Sequence, residues 1–196
     1  DSYQGIPVGG YNKLIEALLD GVETMTDVDF FACEHTYDNL SGVHHIKNST
    51  FDVQCKQLIF TGKIDEYFNY SLGKLDYRTV RFEQETLEMP NYQGNAVVNY
   101  TEAVIPYTRI IEHKHFEYGT QDKTVITREY PADWKRGDEP YYPINDERNN
   151  AMFAKYQEEA AQNDKVIFCG RLADYKYYDM HVVIERALNV VEEEFK

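Results

Sequence analysis

Residues 165–181 constrain the architecture of this chain more than any other stretch. Val166-Ile167-Phe168 is a short apolar run, closed by Cys169-Gly170-Arg171 and followed by the tyrosine-rich segment Tyr175-Lys176-Tyr177-Tyr178. An apolar run of that length, bounded by a turn signal, predicts a buried strand. Gly170 lets a backbone or a ligand approach closely. Asp179 is a favourable N-cap, and Met180, Val183, Ile184, Ala187, Leu188 and Val191 recur beyond it at helical spacing. The pattern is strand, turn, helix. The free N–H groups and partial positive charge of such a helix start, beside an arginine, suit an anion or an electron-rich ring. An ordinary closing strand and helix with surface tyrosines would read the same way.

The chain begins at Asp1-Ser2 without a methionine, and Tyr3-Gln4-Gly5-Ile6-Pro7-Val8-Gly9-Gly10-Tyr11 leads straight into a predicted helix over 12–20. Leu14, Ile15, Leu18 and Leu19 share one face of it, and Gly21 is its stop. It reads as a piece of a longer protein. The 196 residues suffice for one sizeable domain or parts of two, and 42% hydrophobic with 14% aromatic residues can bury a core. No apolar run approaches membrane-spanning length, and no signal peptide is visible. A formal charge of −14 argues against nucleic acid, whose phosphates most of the surface would repel. A diphosphate remains compatible if a few arginines converge, and only eight are present, at 78, 81, 109, 128, 136, 148, 171 and 186. Three cysteines, Cys33, Cys55 and Cys169, have no repeated spacing and suit a reducing cytoplasm. Without a secretory signal, the sequons at Asn48, Asn69 and Asn99 are accidental.

Strands are predicted over 28–33 and 56–61, with a looser mixture between them and a short aromatic helix or turn over 64–68. The middle alternates: 77–84, 94–100, 107–115 and 123–130 predict an antiparallel sheet. Pro131, Gly137, Pro140 and Pro143 mark a long turn region, and 149–163 predicts a helix with Ala151, Met152, Lys155, Tyr156 and Glu159 on successive turns. The fold class is α+β: a twisted, mainly antiparallel sheet with a closing strand and helix.

Two imidazoles, His113 and His115, would share a strand face, a spacing zinc can use, but no third ligand has clear spacing. Gly9-Gly10 is too incomplete for a phosphate loop. Arg109, within Val104-Ile105-Pro106-Tyr107-Thr108-Arg109-Ile110-Ile111, lies on one strand face with Tyr107 and Ile111 and needs a partner. A phosphate clamp and an acidic neighbour are both solutions. In Asp138-Glu139-Pro140-Tyr141-Tyr142-Pro143, two tyrosines held between prolines make rigid amphipathic surface of the kind that sugars and rings use.

These segments together resemble the UDP-galactopyranose mutase family. The resemblance rests on Phe60-Thr61-Gly62-Lys63-Ile64-Asp65-Glu66-Tyr67-Phe68, Tyr92-Gln93-Gly94-Asn95-Ala96-Val97-Val98-Asn99-Tyr100, Pro106-Tyr107-Thr108-Arg109, the Asp138–Pro143 segment, and Gly170-Arg171-Leu172 through Tyr177-Tyr178-Asp179-Met180-His181. It covers nearly the whole chain in order. It implies a fragment of a larger FAD-dependent enzyme: the end of a helical domain at 1–24, partial FAD-domain strands at 25–65, a substrate-binding antiparallel sheet at 66–145, and a closing FAD-domain strand and helices at 146–196. The implied activity is interconversion of UDP-galactopyranose and UDP-galactofuranose, with N5 of reduced FAD as nucleophile, in the cytoplasm and in a possible homodimer.

Carried over by motif, the resemblance implies catalytic roles for Arg109 and Arg78. Arg109 would fork the diphosphate, Tyr142 and Tyr177 would donate hydroxyls to it with Tyr11 nearby, and Asn99 and Arg78 would line the sugar side. Arg171 would meet the FAD phosphates, and Tyr178, Asp179 and Met180 would face the flavin ring. The family's glycine-rich turn and its uracil-stacking helical segment have no counterpart here, so the isolated chain is expected to be inactive and not to retain FAD. The competing functions are a non-catalytic sugar- or nucleotide-binding module and another amine-oxidase-like FAD oxidoreductase.

Overall fold

The computed structural model describes residues 5–195, so Tyr3 and Gln4 of the lead-in lie outside the described residues. Helix α1 (Tyr11–Leu18) opens after Gly10. The strand predicted over 28–33 does not form. Phe30–Ala32 make a 3-10 turn instead, because the Asp29 carboxylate accepts the Phe31 N–H at 2.9 Å and both phenylalanine rings pack on Phe60, at 5.5 and 5.9 Å. The loose mixture that follows is an antiparallel sheet, β1 (Glu34–Asp38), β2 (Val43–Lys47) and β3 (Asp52–Cys55), in that order. Side-chain turns set its two reversals. Asp38 accepts from Leu40 N–H and the Ser41 hydroxyl, and Asn48 accepts from Thr50 and Phe51 N–H.

Further on come β4 (Leu58–Phe60), α2 (Ile64–Tyr67), β5 (Tyr77–Leu87), β6 (Val97–Asn99) and β7 (Arg109–Glu112). The chain closes with β8 (Thr124–Asp133), β9 (Tyr142–Pro143), α3 (Glu147–Ala160), β10 (Val166–Phe168) and α4 (Met180–Glu194). The architecture is mixed α and β with a mainly antiparallel sheet, as the alternation predicts. Strand β7 is shorter than expected, since His113–Glu117 coil into a 3-10 helix. His113 and His115 therefore share no strand face. His113 Nε2 meets Thr127 Oγ1 at 2.7 Å, and His115 Nε2 lies 3.1 Å from Glu112 Oε2. Strand β8 passes Pro131, which lies beyond Glu129, the last residue it pairs with β7, so the missing N–H breaks no bond there.

The chain divides into two compact units, one of Val80–Ala132 with the segment up to Asp27, the other of Val28–Thr79 with the chain from Asp133 onward. In the first, β6, β7 and β8 pair antiparallel, with β5 next in the sheet order. Ile110 and Ile126 are fully buried on its inner face. In the second, Ile64, Leu75, Tyr77, Tyr156 and Tyr175 form the core, with Phe68, Met152, Phe153, Phe168 and Leu172 packed around them. Each such side chain taken from water contributes about 1.5–3 kcal/mol before entropy is counted. Helix α3 supplies Met152 and Tyr156 to this core and begins earlier than the spacing predicts, because Asp146 caps it by accepting the Asn149 N–H at 2.7 Å. Strands β4 and β10 pair in parallel, and α4 follows β10 through the tyrosine-rich turn. Among the described residues, no helix is long and apolar enough to cross a membrane.

Candidate functional site

The sheet of the first unit carries a polar row. Asn99, Arg109 and Glu129 occupy directly opposite positions on β6, β7 and β8, so their side chains share one face. The Arg109 side chain is 41% exposed, yet its Nε is turned inward, 3.1 Å from Oε1 of the largely buried Glu129. The contact is ionic and lacks hydrogen-bond alignment. Glu129 Oε1 also accepts the Thr108 hydroxyl at 2.8 Å. Of the two partners open to Arg109 in the sequence, the acidic neighbour is present, and it takes the Nε side. Among the described residues, neither Nη of Arg109 makes a hydrogen bond. Tyr107 packs edge-on between Tyr100 and Tyr130, at 5.0 and 5.8 Å. Tyr11 stands partly exposed on α1 of the same unit.

A second constellation lies in the other unit. Arg78 on β5 and Tyr142 on β9 are cross-strand partners. The Tyr142 ring stacks on Tyr177 at 5.3 Å and 29°. The Arg171 guanidinium sits 5.0 Å from the Tyr177 ring and donates to the Tyr141 carbonyl. Burial, then the nearby Asp179 and Tyr142, raise the Tyr177 phenol above its ordinary value, so it stays protonated and able to donate at neutral pH. The structure thus gathers Arg78, Tyr142, Tyr177 and Arg171 in one unit, and Asn99 with Arg109 in the other.

The turn that presents Arg171 and Tyr177 is held from within. Gly170 adopts φ +92°, where a side chain would be strained. Asp174 accepts from Gly170 N–H, the Tyr178 hydroxyl and Arg186 Nε, at 3.2, 3.1 and 3.2 Å. The Tyr178 hydroxyl is therefore already committed inside the protein. Tyr175 is left-handed at φ +47°, and its buried hydroxyl lies 2.5 Å from the Asp76 carbonyl and 3.1 Å from the Ile144 N–H. Asp179 occupies the N-cap position of α4 without a side-chain capping bond, and Met180 is 47% exposed. Removing the Tyr175 hydroxyl leaves buried backbone groups short of a partner. Tyr175→Phe in the complete protein is expected to lower stability by about 1–3 kcal/mol, read as the urea midpoint. An unchanged midpoint would refute the anchoring role.

Glu129, Asp174 and Tyr175 escape sequence reasoning. An acid in an alternating strand looks solvent-facing until the register is known, and a buried tyrosine in Tyr-Lys-Tyr-Tyr looks like its exposed neighbours. Among the described residues, no group of three His, Cys, Asp or Glu side chains is placed to hold a metal ion.

The fold defines a class first: a mixed α/β chain whose likeness among solved structures includes an Exiguobacterium protein assigned as a protoporphyrinogen oxidase. That match has a TM-score of 0.59 at 11% identity and covers 94% of this chain and 50% of that one, so it speaks for the fold alone. The family model described as UDP-galactopyranose mutase matches residues 1–177, and the chain belongs to that family. It is 34% identical over 191 residues to dTDP-fucopyranose mutase of Escherichia coli, covering 97% of this chain and 48% of that protein. It is 33% identical over 199 residues to UDP-galactopyranose mutase of Mycoplasma pneumoniae, again covering 97% and 48%. The chain spans about half the length of the curated relatives it matches.

Proposed function

We propose that the protein containing this chain interconverts the pyranose and furanose forms of a nucleotide-linked sugar, UDP-galactopyranose and UDP-galactofuranose, with FAD as cofactor. The observation that carries this reading is the gathering of Arg78, Tyr142, Tyr177 and Arg171 in one unit of a chain whose net charge is −14. Two cations and two phenols concentrated against that background suit an anionic, ring-bearing ligand. When bound, reduced FAD supplies a nucleophile for the anomeric carbon.

The chain's own residues do the rest. Arg109 offers its outer fork to the diphosphate in bidentate fashion, and Asn99 beside it offers an amide to the sugar. In the other unit, the Tyr142 and Tyr177 hydroxyls are donors suited to phosphate oxygens, with the Arg78 cation across the strand pair from Tyr142. As the nucleotide departs, these donors stabilise the charge that grows on the diphosphate, and being held in place they need no reorganisation. The closing segment fits one side of a flavin. The α4 N–H groups stay uncapped by Asp179, Met180 offers an exposed apolar contact, and Arg171, held against the Tyr177 ring, supplies a cation for a phosphate.

The 34% identity to a dTDP-fucopyranose mutase favours a second substrate reading in which the sugar is fucose on a thymidine nucleotide. Incubating the complete protein with UDP-galactopyranose and, separately, dTDP-fucopyranose under reducing conditions distinguishes them by chromatography of the products. Ring contraction of the first is expected. Conversion of only the second would move the assignment to fucose, binding without conversion would leave a sugar-nucleotide module, and hydrogen peroxide release would point to an oxidase.

A further inference from the structure

We infer that Glu129 is a positioning residue, fixing the Arg109 guanidinium so that its outer edge is aimed before an anion arrives. The inference rests on the reading of Arg109 as the diphosphate clamp and deepens it. A long, flexible side chain that must present a planar fork gains from being held, because the rotamer freedom lost on binding is then already lost. Glu129 has the geometry for this. It stands directly across the strand pair from Arg109, is 8% exposed, and brings Oε1 to 3.1 Å from Nε.

The acid is itself held. The Thr108 hydroxyl donates to Oε1 at 2.8 Å, and the Thr108 N–H donates to the Glu129 carbonyl at 2.8 Å. The residue preceding Arg109 therefore fixes the group that orients it. On the other flank, Asn99 is neutral, so Glu129 is the one charged residue in the row that meets the guanidinium. A buried carboxylate beside an anion site opposes the anion by charge, and a Glu129 whose sole effect was electrostatic would weaken binding. A positioning acid has the opposite sign, and that difference is measurable.

The experiment compares Glu129→Ala, Glu129→Gln and Thr108→Val in the complete protein, alone and combined with Arg109→Ala. UDP affinity is read by calorimetry and turnover by sugar conversion, with thermal unfolding recorded for each. Glu129→Ala is expected to weaken UDP binding about 10-fold, with Glu129→Gln, which keeps the acceptor, recovering most of it. Thr108→Val is expected to lose about 3-fold, and serves if Glu129→Ala does not fold. In the Arg109→Ala background, Glu129→Ala should add nothing. UDP binding as tight as or tighter than wild type in both Glu129→Ala and Thr108→Val, while Arg109→Ala still weakens it, would overturn the positioning role and leave the clamp standing. Full affinity in Arg109→Ala would overturn the clamp itself.

Discussion

Glu112→Gln is expected to strip protection from the backbone N–H groups of Tyr92 and Gln93 and to destabilise the first unit by on the order of 3 kcal/mol. The Glu112 carboxylate is fully buried and accepts three hydrogen bonds, from Tyr92 N–H at 2.9 Å, Gln93 N–H at 2.8 Å and the Thr124 hydroxyl at 2.7 Å, with His115 Nε2 also 3.1 Å away. Burial alone would raise its pKa, but those donors outweigh it and hold the carboxyl at about 2, against an ordinary value of 4.5. A glutamine has one acceptor oxygen and an NH2 on the other side. One backbone N–H would then face a donor in a site closed to water. Hydrogen exchange on the complete protein at neutral pH measures this at the two amides, and wild-type protection in the variant would refute it.

The same carboxylate sets an acid limit. A group whose folded pKa lies below its unfolded one stabilises the fold fully above the unfolded value and loses that contribution as pH falls through the folded one. For Glu112 the window runs from about 4.5 down to about 2. Protection at Tyr92 and Gln93 should decline across that window in wild type and stay flat in Glu112→Gln. A flat wild-type profile would sink the assignment.

Arg109→Ala is expected to weaken UDP binding by the complete protein about 30- to 100-fold and to lower kcat/KM by about 100- to 1000-fold. In the proposed reaction the larger effect on kcat/KM follows from the charge that would grow on the departing nucleotide, which would make the fork more valuable in the transition state than in the ground state. Arg109→Lys should restore little. Its ammonium is a point charge, unable to satisfy two phosphate oxygens at once or to meet Glu129 through an Nε. Calorimetric titration with UDP decides the matter, with circular dichroism to confirm the fold. UDP affinity within 2-fold of wild type in Arg109→Ala would remove Arg109 from the substrate site.

Much of the fold was legible in the residues, and its failures have local causes. The alternation over 77–84 and 123–130 marked two sheet strands, and the 3.6-residue recurrence after Asp179 marked α4. Strand was wrongly expected at 28–33, where a carboxylate turn and two phenylalanines drawn to Phe60 outweighed the β-formers. It was also wrongly carried through 113–115, where His115 turns back toward Glu112. The sheet of β1 to β3 went unread although Asp38 and Asn48 announced both of its turns.

For the candidate site the division is sharper. Residue order by itself determined the family, the strand–turn–helix at the close, and the prominence of Arg109, Tyr142, Arg171 and Tyr177, because those signals lie in short contiguous motifs. Tertiary structure alone decided that Glu129 meets Arg109, that Arg78 stands across from Tyr142, that Tyr175 is an anchor, and that Glu112 is a buried acceptor of three hydrogen bonds. An alternating strand pattern states which face a residue occupies. It does not state which residue lies opposite, since register is set by pairing between strands far apart in the chain.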